Sequence, residues 1–260
     1  MGVELNERDE KSFLNSTVEH FRSTGVDMII PSNNTATFRT YPDGALAAPY
    51  GTFIQDLNQS EEALWKEVAT DYRQNIRKAT KVGVQVKSGM EYLDSSYDLV
   101  VETLKRSSAD FIKNRDDFQK SATSLGENVR IFVAEYEGVI QACLVSPFSE
   151  HTAYDWYSGS TSKPVRGAMH LLIWEAMRQF RRMGVKRFNF QGVRINPEKG
   201  SKQEGIMNFK MRFGGTLVQG FMWKYPFRPL KAAAYSIAIR LLKGGDIVDQ
   251  EQHKLTSSQV

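Results

Sequence analysis

The spacing of apolar residues divides the chain into alternating helical and extended segments. Phe13, Leu14, Val18 and Phe21 recur at helical spacing and predict an amphipathic helix over residues 12–24, with these four facing a core. Met28 to Pro31 and Thr35 to Tyr41 read as short strands, broken by the turn signal Pro31-Ser-Asn-Asn. Pro42 to Gly51 is expected to be a loop and Thr52 to Leu57 a strand. The longest helix is expected over 60–82. Ser60, Glu61 and Glu62 suit its start, Leu64, Val68, Tyr72, Ile76 and Ala79 share one face, and Gly83 marks its end. Val84 to Lys87 alternates as a strand. Helices are expected from Tyr97 to Phe111 (Leu99, Val100, Leu104) and from Arg115 to Leu125.

Arg130 to Ser146 reads as a β-hairpin turning at Glu137-Gly138. Thr152 to Thr161 is a further strand ending in small residues. Gly167 to Met183 carries Met169, Leu172, Ile173, Ala176 and Phe180 on one helical face, and Lys186 to Gly192 is the next strand. After a polar loop from Arg194 to Glu204, Ile206, Phe209 and Phe213 give Gln203 to Phe213 a helical period. Gly214-Gly215 ends that helix, and a β-rich run from Thr216 to Trp223 follows. Pro229 to Lys243 is an amphipathic helix (Leu230, Ala233, Ile237, Leu241, Leu242), expected to dock on the core, and its basic character also suits a membrane surface. From Gly244 onward the chain is polar and expected to be disordered.

Composition narrows the classes of function. A net charge of +4 over 260 residues admits anionic partners without requiring them. The single Cys143 excludes an internal disulfide and, lying in an apolar strand, reads as a buried thiol. No apolar run spans a bilayer, and the acidic, polar MGVELNERDE start is unlike a signal peptide. A cytoplasmic protein is expected, with peripheral contact at the inner face of the membrane left open. His20, His151, His170 and His253 show no ligand spacing, so no metal site is expected. Dinucleotide and P-loop motifs, and a helix-turn-helix or zinc finger for DNA, are absent.

From residue 84 the order is strand, helices, hairpin, strand, helix, strand, helix, strand. This predicts an α/β (α+β) domain with a central mixed, mostly antiparallel sheet flanked by helices. It matches the GNAT acyltransferase layout, in which strands after the hairpin part and an acyl donor enters the gap. Asp56 to Trp65, then Arg73-Gln-Asn-Ile-Arg-Lys-Ala-Thr-Lys-Val-Gly-Val, resembles the signature joining the two halves of the Fem-type (FemABX) peptidyltransferases, which build peptidoglycan interpeptide bridges. Tyr157-Ser-Gly-Ser-Thr, Leu171-Leu-Ile-Trp-Glu-Ala-Met, Gly184-Val-Lys-Arg-Phe-Asn-Phe-Gln-Gly and Gly205-Ile-Met-Asn-Phe-Lys-Met-Arg-Phe-Gly-Gly are similar to that family's second half. The ordered set covers roughly residues 50 to 225.

The resemblance implies transfer of an acyl or aminoacyl group to an amine. The co-substrate would be an aminoacyl-tRNA or acyl-CoA with no tightly bound cofactor, and the acceptor an amine of a nucleotide- or lipid-linked cell-wall precursor. It also implies a shortened amino-terminal lobe, because only about 50 residues precede the linking helix. The expected division is 1–59 for that lobe, 60–82 for the linking basic helix, 83–225 for the GNAT-like acyltransferase domain and 226–260 for the carboxyl-terminal helix and tail.

The family's Phe-Lys pair falls on Phe209 and Lys210. Helical spacing puts Lys210 at the edge of the apolar face, where a snorkelling lysine is the plain alternative to a cation facing negative charge. Tyr157 and Gln191 complete the expected catalytic set. Arg73, Arg77, Lys78 and Lys81, with Trp156 and Arg212, are the expected substrate-binding residues. For the four helical cations, complementing the helix dipole is the competing reading. Asp155 and Glu175 are the carboxylates that could serve as a base, although either could be structural. The competing class for the whole chain is a non-catalytic GNAT-like module that binds tRNA, nucleotide-sugar or a membrane surface.

Overall fold

The structure, a computed structural model, describes residues 6–31, 35–36, 38–107 and 113–257. Its helices are α1 (Glu7–Ser23), α2 (Glu61–Glu67), α3 (Thr70–Val82), α4 (Leu93–Arg106), α5 (Arg115–Thr123), α6 (Ala168–Arg182), α7 (Lys202–Met211), α8 (Pro229–Lys243) and α9 (Ile247–Ser257). Its strands are β1 (Met28–Ile29), β2 (Leu46–Asp56), β3 (Gln85–Ser88), β4 (Val129–Tyr136), β5 (Val139–Pro147), β6 (Thr152–Tyr154), β7 (Tyr157–Ser160), β8 (Arg187–Val193) and β9 (Thr216–Pro226). This is the mixed α/β architecture the element order implies. Two compact units share the chain. One holds residues 53–191 and 208–216, the other 1–52, 192–207 and 217–260.

In the first unit β3, β4, β5 and β7 form an antiparallel sheet in that order. Glu137 and Gly138 turn the β4–β5 hairpin with φ of 48° and 78°, as a two-residue turn of this hand requires. Helix α6 lies on β4 and β5, and α4 on β5 and β7. The apolar side of α6 delivers Leu172, Ile173, Ala176, Met177 and Phe180, all fully buried, into a core with Phe132, Phe188 and Phe190. Fully burying one such side chain is worth about 1.5–3 kcal/mol.

The expected single helix over 60–82 is two. Val68 and Ala69 take extended backbone between α2 and α3. Tertiary bonds hold that break: the Ala69 N–H donates to Arg212 O at 2.8 Å, and the Arg73 guanidinium donates to Trp65 O and Lys66 O at 3.2 and 3.1 Å. The expected strand from Thr152 to Thr161 also divides. β6 runs parallel to β8 (Tyr154 opposite Asn189), whereas β7 runs antiparallel to β5 (Tyr157 opposite Val145). The chain changes sheets at Asp155-Trp156.

In the second unit β1 pairs antiparallel with β9, Met28 facing Pro226. The side chain of Asn6 caps α1, and Leu14 and Val18 are buried. Phe13 and Phe21, expected inward, are exposed because the buried stripe runs through Glu10, Leu14 and Val18. Of the strand expected at Thr35 to Tyr41, only a bridge from Phe38 to Phe221 forms among the described residues. The loop expected at Pro42 to Gly51 is shorter: the Ala45 N–H donates to Pro42 O, closing a turn, and β2 begins at Leu46.

The expected disorder after Gly244 is replaced by α9. Its Val248 is fully buried beside Ala48, Tyr50 and Met222, and Lys224 in β9 donates to Asp246 at 2.8 Å and Asp249 at 2.6 Å. Polarity in sequence here marks paired charge rather than a solvated tail. Helix α8 differs in the opposite sense. Leu230, Ala233, Ile237, Leu241 and Leu242, expected inward, are exposed, while Ala232, Tyr235, Ser236 and Ile239 are its less exposed positions. Ile206 of α7 is also exposed. The turn residues Ser32 to Asn34, Thr37 within the expected strand, Phe111 at the end of the helix expected from Tyr97, and the first five residues lie outside the described residues.

Candidate active site

The parting of β6 from β7 marks the candidate site. The Asp155 N–H still donates to Asn189 O at 2.9 Å, prolonging the β6–β8 pairing, and the Trp156 N–H folds back to Tyr154 O at 3.0 Å. From Tyr157 the chain belongs to β5. The carboxyl group of Asp155 sits at this divergence, partly buried and hydrogen-bonded to the Ser158 side chain. Burial pushes its pKa above the usual carboxylate range, and the nearby Lys210 ammonium opposes that shift.

Lys210 stands in the last turn of α7, near enough for its charge to act on Asp155. Burial pushes its pKa down to about 8, with the Asp155 charge acting the other way. The turn that carries it is anchored by Phe213, fully buried, stacked 5.6 Å from Phe190 and edge-on to Tyr72 at 5.1 Å. The Phe213 N–H donates to Lys210 O at 3.2 Å, and Gly214 follows with φ of 93°.

Gln191 stands inside β8 with φ of 66°, a left-handed backbone that costs a residue with a side chain of order 1–3 kcal/mol. Its N–H donates to Asn189 Oδ1 at 2.7 Å. Asn189 therefore ties both partners: its carbonyl holds the backbone of Asp155 and its side chain holds that of Gln191. Tyr157 is half-buried, its ring 5.1 Å from Phe118 and 4.7 Å from Trp156, and desolvation raises its phenol pKa.

Other expected residues are placed differently. Phe209 packs with Tyr72, His170 and Phe213 at centroid distances of 5.8, 5.9 and 5.2 Å, so its ring supports α7. Trp156 packs with Tyr157 against the core of Leu93, Phe118 and Val145. Arg212 donates to Asp71 at 2.6 Å and lies 5.7 Å over the Tyr72 ring. The four cations of α3 do not form one patch. Arg73 is spent on the carbonyls of α2, and Lys78 is exposed and does not line the groove that Arg77 and Lys81 share. Arg77 lies over Trp65 at 5.5 Å and, with Lys81, lines a groove of about 790 Å³ that also holds Trp174, Glu175 and Arg178. Glu175 is ion-paired to Arg178 at 2.7 Å, which leaves Asp155 as the carboxylate beside Lys210. That groove is lined by neither Lys210 nor Asp155. The pair, whose charges burial perturbs, is the candidate for the chemistry.

The sequence does not single out Asn189 or Ser158, and it marks His170 only as lacking ligand spacing. The Asn-x-Gln spacing of Asn189 and Gln191 is the one local signal, since an Asn side chain readily caps the N–H two residues on. His170 sits 4.2 Å edge-on to Tyr72, and burial lowers its pKa. Cys143 is buried with its thiol pushed up to about 12, an inert group.

A hairpin, a strand that changes sheets, a helix and a parallel strand, with an ionisable pair at the parting, define a GNAT-type acyltransferase fold. The family model of the acetyltransferase (GNAT) domain matches residues 66–210, and the chain belongs to that family. Among solved structures, FemX superposes with a TM-score of 0.61 at 15% identity, covering 84% of this chain and 70% of FemX. The C-terminal domain (DUF2156) assigned to a lysylphosphatidylglycerol synthetase from Agrobacterium fabrum gives 0.59 at 16%, covering 90% and 79%. L-PGS from Bacillus licheniformis gives 0.50 at 16%, covering 76% and 67%. At these identities the likeness is one of fold, and the fold is Fem-like. No curated protein sequence matches the chain.

Proposed function

We propose that the protein transfers an activated acyl or aminoacyl group from an aminoacyl-tRNA or acyl-CoA to an amine of a cell-envelope precursor. The observation that carries this reading is the Lys210–Asp155 pair at the parting of β6 and β7. Aminolysis of an ester or thioester needs a neutral amine, alignment with the carbonyl, and donors for the oxyanion that develops. The amine nitrogen bonds to the carbonyl carbon, and the C–O or C–S bond to tRNA or CoA breaks. The Lys210 ammonium donates to the oxyanion, a contribution typically worth about 10²–10³ in rate. Asp155, its pKa raised by burial, accepts the proton that the amine loses and passes it to the leaving group. Gln191 and Tyr157 flank the pair as positioning groups. Arg77 and Lys81 supply positive charge for the phosphates of donor or acceptor.

The acceptor is read as a nucleotide- or lipid-linked cell-wall precursor, and the reaction as cytoplasmic, where both donors are made. Among the described residues no helix is long and apolar enough to cross a membrane. The test is incubation with labelled acyl-CoA or aminoacyl-tRNA and a panel of amines. Amide product is expected, reduced at least ~10-fold in Lys210→Ala at an unchanged melting temperature. Binding without amide formation would instead make the chain a non-catalytic module, and a fully active Lys210→Ala would remove Lys210 from the mechanism.

A further inference from the structure

Helix α8 presents its larger apolar residues to solvent. Leu230, Ile237, Leu241 and Leu242 are 88%, 62%, 83% and 77% exposed, and Ala233, Ala234 and Ala238 between them are exposed too. At 100° per residue, Leu230, Ala233, Ala234, Ile237, Ala238 and Leu241 form one continuous stripe along the helix. A helix that only covered its own unit would turn this stripe inward. The charge on α8 has one sign. From Pro229 to Lys243 the sequence contains no Asp or Glu, and Lys231 and Arg240 flank the stripe with Arg228 at its start, all three exposed. Arg228 and Lys231 share a single carboxylate, Asp27, at 3.1 and 2.9 Å, so the helix start stays net positive.

We propose that the outer face of α8 docks in the plane of an anionic lipid surface. The apolar stripe would enter the boundary between headgroups and acyl chains, and the flanking cations would meet lipid phosphates. An apolar face edged by cations is the pattern that binds such an interface. Charge argues against a second copy of this chain as the occupant. A two-fold contact across this face would set the net positive charge of Arg228, Lys231 and Arg240, which Asp27 offsets only in part, against the same charge of the other copy, with no acid on the helix to neutralise it. The proposal is independent of the transfer reaction.

The test is co-sedimentation of the purified full chain with vesicles of phosphatidylcholine alone and of phosphatidylcholine mixed with phosphatidylglycerol. Partition onto the mixed vesicles is expected to be at least ~10-fold greater and to fall as salt is raised. Leu230→Glu with Leu241→Glu should lower it ~10-fold or more at an unchanged melting temperature, and Arg240→Glu should lower it by less. Equal partition onto both vesicle types, or wild-type binding by the double variant, would overturn the assignment. So would light scattering that shows a wild-type dimer which the double variant dissolves, because the face would then belong to a second copy.

Discussion

The Asp155 carboxylate and the Lys210 ammonium each favour the other's charge in a place where burial opposes both. One arrives from the turn between β6 and β7, the other from the last turn of α7. The roles proposed for them give the activity a defined dependence on pH. With Lys210 acting as a donor, the protonated form is the active one, and its pKa of about 8 sets an alkaline limb in kcat/KM near that pH. Asp155→Asn removes the charge that raises this pKa, so the limb should move to lower pH. Lys210→Arg keeps its charge well above pH 8 and should move the limb upward. A profile unchanged in both variants would count against the pairing.

Gln191 carries strain that its side chain alone does not require. Gln191→Gly should relieve the left-handed backbone and leave stability equal or up to ~1 kcal/mol higher, while turnover falls. Gln191→Val should cost ~1–3 kcal/mol. Urea denaturation beside steady-state rates would separate the two effects.

Gly167, which precedes α6, has φ of 87°, and a Cβ there would meet Asn75 O at 2.1 Å. The obstacle is backbone of α3 and cannot rotate aside. Gly167→Ala is expected to destabilise by ~3 kcal/mol, combining left-handed strain with overpacking, as read by chemical denaturation.

Lys224 is buried between Asp246 and Asp249, and its pKa is raised because hydrogen bonds to both carboxylates outweigh its own desolvation. A lysine whose folded pKa exceeds its unfolded value contributes its full stability below the unfolded pKa and loses it as pH rises through the folded value. The contribution is thus complete at neutral pH. Lys224→Met leaves two carboxylates without their cation and should cost ~3 kcal/mol. Limited proteolysis should then cut first near α9.

The cations of α3 should divide by role. Arg73→Ala removes bonds to the end of α2 and should lower stability by ~1 kcal/mol with little effect on donor binding. Arg77→Ala with Lys81→Ala should leave the melting temperature near wild type while weakening donor binding ~10-fold. The salt dependence of that binding should flatten, since fewer phosphate contacts release fewer counterions. Titration at two ionic strengths would check both.

What the sequence determined by itself is local. The β4–β5 hairpin, α6 with its buried stripe, the Gly214 stop and the cation at Lys210 follow from spacing and turn chemistry, which act within a few residues. Tertiary structure decided where long-range partners overrule local preference. The bond from Ala69 N–H to the distant Arg212 carbonyl holds the break between α2 and α3, and Lys224 ordered a polar tail into α9. The outward turn of α8 was equally illegible, since an amphipathic period gives the width of an apolar face and not its direction. The proposed pair shows the same division. Lys210 stands out from its place on a helix edge and Asp155 is one of two candidate carboxylates, but the choice between Asp155 and Glu175 was not legible, because a carboxylate acquires a raised pKa only from the burial and neighbours that folding brings to it.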